Sequence, residues 1–529
     1  MALTKSIWVT HTFGGGWATD FGPSFYGAPD AQGKLVVPFL QTAQNCFFEL
    51  DGGPHKVGGT TAFNATPTGA SDNITGLFDY WRMGTTAVST QKRLAFSNGV
   101  LYADDGAGGF TAIKSGLSAT GVPCFSVFDD ICIFSTDTVG EVPQSYNQTT
   151  EANLAGSPPP FAFSCKHKNK VFAAGRPSLP SRLYYCVDND PEDWTGAGSG
   201  SIDIDPDDGD RIVGLASHKD NLWVFKGPYH GSIHRITGSS PSGADAFARV
   251  PFIEGIPAIG HNTLFKFGDD LGFMSSSGTV HSLNATAQYG DFTQSYLSLP
   301  IDTYMRTELN LSRLKYATAV NDPTRGHVLF TLPSAGVTDN NTILCMDYRN
   351  GIQPPRWSKW TAFSFGALAM MRNASGVNIM HGGGYDGTVY AMHASTRTHK
   401  AASISMDVKL PALTYGNELI TKTLEAAALG IKPYNANAVT LAWQADNNTE
   451  QTSTTITQGG SSALLDVMVL DSASLGSNVF VPRFTTLGET GGDGRSFTWR
   501  FADNIIGSDL EVHNLGAKIT PTGESLENS

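Results

Sequence analysis

Lys219-Asp-Asn-Leu-Trp-Val-Phe-Lys-Gly227 holds the grammar from which the fold is read. A polar Lys-Asp-Asn turn opens it. The apolar run from Leu222 to Phe225 suits one strand and is too short for a helix, and Gly227 ends it. The plan recurs upstream in Arg93-Leu-Ala-Phe-Ser-Asn98, Phe128-Asp-Asp-Ile-Cys-Ile-Phe-Ser-Thr-Asp137 and Lys168-Asn-Lys-Val-Phe-Ala-Ala-Gly175. Downstream it returns in Gly268-Asp-Asp-Leu-Gly-Phe-Met-Ser-Ser-Ser-Gly278, Arg325-Gly-His-Val-Leu-Phe-Thr331 and Ser375-Gly-Val-Asn-Ile-Met-His381. Gly278-Thr-Val-His-Ser-Leu283 and Gly387-Thr-Val-Tyr-Ala-Met392 add second short strands, so the units are hairpins.

The centres of these runs fall roughly every 35–55 residues, near the period of a propeller blade. The pattern predicts an all-β chain with a six- or seven-bladed β-propeller over 87–400. A set of unrelated antiparallel sandwiches is the competing arrangement. Residues 1–86 form an N-terminal arm or β region; in it, His11-Thr-Phe-Gly-Gly-Gly-Trp17 is an arm or the strand that closes the ring. Past Ala401 the pattern becomes alternation, in Ser403-Ile-Ser-Met-Asp-Val-Lys-Leu410, Val439-Thr-Leu-Ala-Trp-Gln444 and Ser496-Phe-Thr-Trp-Arg-Phe501. Alternation marks half-buried strands, so 401–529 is expected to be a C-terminal β-sandwich with a short solvated tail from Pro521. Leu419 to Leu429 reads equally as helix or strand.

At 529 residues the chain exceeds the roughly 250–300 that one core serves, so at least two cores are expected. Apolar residues are 40% and charged residues 16%, a globular composition. The 58 glycines and 27 prolines show no collagen period and supply tight turns. A net charge of −13 disfavours a surface that grips nucleic-acid phosphates. Six cysteines, at 46, 124, 132, 165, 186 and 345, include no C-x-x-C pair and read as buried thiols of a protein folded in a reducing cytosol. No secretory signal is visible between Met1 and Phe13, and no apolar run is long enough for a transmembrane helix.

Motifs for chemistry are weak. Asp203-Ile-Asp-Pro-Asp-Asp-Gly-Asp210 resembles a calcium loop, but Gly209 is one position late and Gly214 stands where the closing Glu belongs; an acidic turn between blades is the better reading. Phe13-Gly-Gly-Gly-Trp17 and His381-Gly-Gly-Gly384 are not phosphate loops. Gly492-Asp-Gly-Arg-Ser-Phe-Thr-Trp499 is one residue short of a sialidase Asp-box. His218, His230, His234 and His261 fall near strand ends as structural histidines, and Trp223 with Phe225 fills one face between blades. No catalytic, cofactor-binding or metal-binding residue is assigned, and the chain is expected not to be an enzyme.

The identification rests on phrases in order: Pro158-Pro-Pro160, Lys168 to Gly175, Arg182-Leu-Tyr-Tyr-Cys186, Asp190-Pro-Glu-Asp-Trp194 and Asp208-Gly-Asp-Arg-Ile-Val-Gly-Leu215. Leu222 to Lys226, Ser232-Ile-His-Arg-Ile236 and Leu271 to Gly278 follow. Met346-Asp-Tyr348, Trp357 and Asp386-Gly-Thr-Val-Tyr390 come next, and Arg495 to Phe501 last. In this order they resemble a tail-protein family of short-tailed phages, which forms the nozzle, hub or stabilisation ring. The resemblance implies a virion protein assembled in the host cytoplasm, in a ring of identical subunits, usually six. It implies contact with the head–tail adaptor and with tail fibre or spike proteins, and genomic DNA passing through the lumen without specific binding. The alternative is a glycan-binding or glycan-cleaving propeller of a receptor-binding tail component.

Overall fold

A computed structural model describes residues 6–20, 35–37, 39–50, 52–64, 68, 72–83, 90–284, 296–349, 355–373, 375–415, 419–432, 434–435, 437–446, 452–458, 481–487 and 492–522. The chain is all-β and divides into two units. One comprises 61–343 and 363–392, the other 1–60, 344–362 and 393–529.

The first unit is a β-propeller, a succession of small antiparallel sheets taken in chain order. Their first strands, among the described residues, are Ile74–Arg82, Pro123–Phe128, Phe163–His167, Arg211–His218, Phe265–Phe267, Thr318–Asp322 and Phe365–Arg372. The seven apolar runs read from the sequence are the second strands of these sheets: Thr90–Ser97, Ile131–Thr136, Lys170–Ala174, Asn221–Gly227, Asp270–Met274, His327–Leu332 and Asn378–Gly384. In four of them the polar opening supplies a two-residue hairpin turn, between strands ending at Phe128, His167, His218 and Phe267 and those starting at Ile131, Lys170, Asn221 and Asp270. Asp129 and Asp130 have φ of 47° and 59°, and Lys219 and Asp220 have 47° and 58°. Positive φ at both central residues is the type I′ geometry that matches strand twist, and Asp tolerates it better than a β-branched residue would.

The core of this unit lies between the sheets. Leu94, Phe96, Cys132 and Phe134 share one cluster between the first and second sheets, where Phe134 meets Phe96 at 5.2 Å and Phe125 at 5.0 Å. Trp223 and Phe225 join Leu271 and Phe273 of the next sheet, the position their alternation predicts. Ile74, Leu77, Ala367, Ala369 and Met371 join the first and last sheets, which closes the succession. The outer edge of the last sheet is taken by 61–64: Phe63 N–H donates to Val389 O at 2.7 Å, and buried Asn64 accepts from Val389 N–H at 2.6 Å. Pairing the two ends of the propeller unit in one sheet covers an edge that would otherwise lie open.

Among the described residues, the other unit has two larger sheets beside the two-stranded pairs Cys46–Phe48 with Pro54–Lys56 and Thr398–His399 with Ala402–Ser403. Ile7–Phe13 pairs with Val512–Pro521, which pairs with Lys422–Ile431. In the second, Thr42–Gln44 pairs with Met406–Lys409, followed by Phe497–Asp503 and Ala438–Ala445. Phe13 of one meets Phe501 of the other at 5.7 Å.

Three expectations are revised. The boundary at 86 cuts the first hairpin, since Ile74–Arg82 pairs with Thr90–Ser97. The boundary at 400 leaves out 344–362 and 393–400, which fold with the C-terminal strands. His11 lies in a strand beside Leu515 in that unit and does not close the propeller. The segment from Leu419 resolves to a strand, Lys422–Ile431, because it pairs on both sides. Of the expected tail, residues 523–529 lie outside the described residues.

Candidate functional site

Where the first strands begin, loops from five sheets converge. Cavities of about 210, 220 and 270 Å³ there share Pro123 and Asn262 as lining residues. The first contains Arg176, Arg211, His261, Lys315 and Asp137. The strands place these residues: Arg211 starts the fourth sheet, Arg176 follows the second strand of the third, and His261 and Asn262 precede the fifth.

His261 stacks on Phe163 with ring centroids 5.1 Å apart and accepts a hydrogen bond from Leu215 N–H through Nδ1 at 3.2 Å. Burial pushes its pKa down to about 4, so the ring is neutral near pH 7. With Nδ1 accepting, Nε2 carries the hydrogen. Asn262 donates to Pro123 O at 3.0 Å. Lys315 is neutralised by Asp137 at 3.1 Å, whose other oxygen accepts Val122 N–H at 2.7 Å.

The acidic run 203–210 connects two sheets, and four of its five carboxylates are engaged, the exposed Asp207 excepted. Asp203 pairs with Arg182 at 2.6 Å, Asp208 with Lys226 at 2.7 Å, and Asp205 with Arg249. Asp210 accepts the N–H groups of Tyr229, His230 and Gly231 at 2.9, 2.9 and 2.6 Å. The segment is a braced turn, as its missing glutamate suggests. Arg211 follows it and makes no ion pair among the described residues. Sequence reading did not single out Arg176 or Arg211 and took His261 as structural. The recess is built from single residues on several sheets, so no local spacing could reveal it.

Of the other motifs, His381–Gly384 lies within the strand Asn378–Gly384, and Asp493 lies in the other unit, hydrogen-bonded to Thr423. His234 Nε2 meets Ser232 Oγ at 2.9 Å. All six cysteines are free thiols, five of them buried.

The second unit holds an ion network around His55. Its Nδ1 lies 2.8 Å from Glu49 and its Nε2 3.0 Å from Asp509. Both partners only accept when ionised, so both ring nitrogens are protonated. Arg397 binds Asp509 at 2.6 Å and Lys432 binds Glu511 at 3.2 Å. Ligand atoms of Glu49, His55 and Glu511 lie within 4.8 Å of one another, a metal-like grouping. Protons and these two cations already fill the roles a metal would take, so the arrangement is an ion network.

Burial alone would lower the His55 pKa, but the hydrogen bonds it donates to Asp509 and Glu49 outweigh it and leave it raised above 6.5. The hydrogen bond to His55 holds Glu49 below 4.5 despite burial; Asp509, which burial would raise, is held below 3.8 by His55 and Arg397. A raised base stabilises the fold below its unfolded pKa and loses that effect as pH rises through its folded pKa. Lowered acids do the reverse. This network therefore contributes fully from about pH 4.5 to 6.5 and fades on either side. Thermal unfolding from pH 5 to 9 should show a falling midpoint above pH 6.5 whose slope is reduced in His55→Gln. Equal slopes in both proteins would refute the assignment.

The closed succession of sheets, with its recess at the head of the inner strands, defines the β-propeller class. No protein-family model and no curated protein matches the sequence. Similar solved structures include the WD40 β-propeller domain of Doa1, at 11% identity and TM-score 0.37 over 63% of this chain and 97% of that one. BBS1N in complex with ARL6DN follows at 10% identity and TM-score 0.38, covering 64% and 97%. YCF48 bound to D1 peptide has 9% identity and TM-score 0.37, covering 64% and 97%. Among the described residues, no helix is long and apolar enough to cross a membrane.

Proposed function

We propose that this chain is a non-enzymatic structural protein of a tailed-phage virion, a ring subunit of the nozzle or hub below the portal adaptor. The ring seals the capsid and conducts the genome during ejection. The observation that carries the reading is the order of the resembling phrases. Lys170–Ala174, Arg182–Tyr185, Asn221–Gly227, Ser232–Thr237 and Asp270–Met274, which overlap five of them, occupy consecutive sheets of the propeller. Arg495 to Phe501 then falls on Phe497–Asp503 in the other unit.

Seven first strands in closed succession favour seven blades over six, and the two facing sheets of the other unit are read as a sandwich that includes the N-terminal strand. A ring needs a heterologous interface that closes on itself. Duplex DNA carries about one negative charge per 1.7 Å of axis. Subunits at net −13 would repel it from the wall, over about 8–10 Å in ordinary salt.

Mass photometry of the full chain, alone and beside its adaptor, tests this. The expected result is a population at six times the subunit mass in at least the second sample. A monomer in both would overturn the reading. The second reading, a glycan-binding propeller, is favoured by the cationic recess alone.

A further inference from the structure

We infer that the recess formed by Arg176, Arg211 and His261 is a binding site for the oxyanion group of a small organic ligand, a carboxylate or a phosphate. The inference is independent of ring assembly, since every contributing residue belongs to the propeller.

Charge is the first argument. Lys315 and Asp137 form a pair at 3.1 Å and cancel. Among the described residues Arg176 meets only neutral partners, Ser178 Oγ at 2.8 Å and the Tyr184 hydroxyl at 3.4 Å. The exposed Arg211 side chain makes no hydrogen bond or ion pair among the described residues. Its nearest acidic neighbours in sequence, Asp208 and Asp210, are held by Lys226 and by three backbone N–H groups. The recess thus carries two uncompensated guanidinium charges on a chain whose net charge is −13. Long-range repulsion at that net charge disfavours anions in general, so an anion would be held here only by direct contact.

Chemistry is the second argument. A guanidinium presents a planar fork of donors that fits two oxygens of one carboxylate or phosphate. His261 adds a neutral donor, because Nδ1 is committed to Leu215 N–H and no described group accepts from Nε2. Asn262 brings an amide oxygen free of described partners, suited to a ligand hydroxyl. Cys124, Phe163, Ile212 and Ile259 make the rest of the wall apolar. A volume near 210 Å³ lies below the roughly 300–1,000 Å³ of drug-sized sites, so the ligand is one small ring or a short chain.

Isothermal titration of the full chain with four probes tests the site. These are glucuronate, glucose 6-phosphate, succinate and neutral glucose. Saturable binding of glucuronate, succinate or glucose 6-phosphate with none of glucose supports the site, and the ranking tells carboxylate from phosphate and sugar from non-sugar. Arg211→Gln should weaken that binding at least tenfold, with Arg211→Lys keeping part of it. Arg211 is exposed, so the variant is expected to fold, and an unchanged thermal midpoint confirms it. Glucose binding as well as the anions, no binding by any probe, or equal binding to Arg211→Gln would each overturn the inference. None of these outcomes depends on whether rings form.

Discussion

Lys56→Met should destabilise the second unit by about 3–5 kcal/mol, the cost of leaving one partner of a buried ion pair alone. Lys56 and the Asp503 side chain are both fully buried, with Nζ 3.2 Å from Oδ2. Nζ also donates to Ile505 O at 3.4 Å. Methionine fills similar space and removes the charge. Asp503 would keep the Ile505 N–H at 3.0 Å and lose its countercharge. Adding Asp503→Leu should recover most of the loss, because an apolar pair of similar volume often matches a buried ion pair. Calorimetry reads both changes, provided the transitions of the two units are resolved. A loss below about 1 kcal/mol for Lys56→Met would mean that water reaches the pair, against the burial described.

The second large effect is expected in the propeller. Asp210→Ala removes the shared acceptor of the Tyr229, His230 and Gly231 N–H groups. Tyr229 and His230 are exposed, so water can take over their N–H groups; the buried Gly231 N–H is the one left unsatisfied, and a loss of about 1–3 kcal/mol is expected. Relaxation is limited at Gly231, which has φ +72° and packs so closely on Pro257 that no Cβ would fit. Hydrogen exchange should quicken at these three amides before the rest of the fourth sheet. Unchanged exchange there would show that Asp210 does not hold the loop.

These residues show where sequence is readable and where it is not. The second strands are legible because an apolar run of strand length is a local signal, and in four of them a two-residue polar turn precedes it. Asp129-Asp130 and Lys219-Asp220 carry it with positive φ. Pairings between remote segments were not legible. His11 lies opposite Leu515, and Thr42 opposite Lys409. Nothing within either segment names its partner, so sequence leaves the N-terminal strand open between an arm and a closing strand, whereas it pairs with the C-terminal strand Val512–Pro521. The recess was hidden for the same reason. Lys56 was equally invisible, since a lysine in sequence is ordinarily solvated.

The acidic run 203–210 shows how structure changes a sequence argument. As sequence it was the densest source of negative charge and the nearest approach to a metal loop. In the fold Asp203, Asp205, Asp208 and Asp210 serve neighbouring arginines, a lysine and backbone groups. Asp203, Asp205 and Asp208 are cancelled by cations, while Asp207 and Asp210 meet none among the described residues, so an acidic lumen would have to draw on other residues as well. That places a sharper demand on the proposed ring than net charge alone.

A cryo-EM reconstruction of the full chain assembled beside its adaptor tests the ring most directly. The account predicts a closed ring of identical propeller subunits around an open channel, with a predominantly acidic wall. A monomeric particle, or a closed ring whose channel wall is predominantly basic, would contradict it.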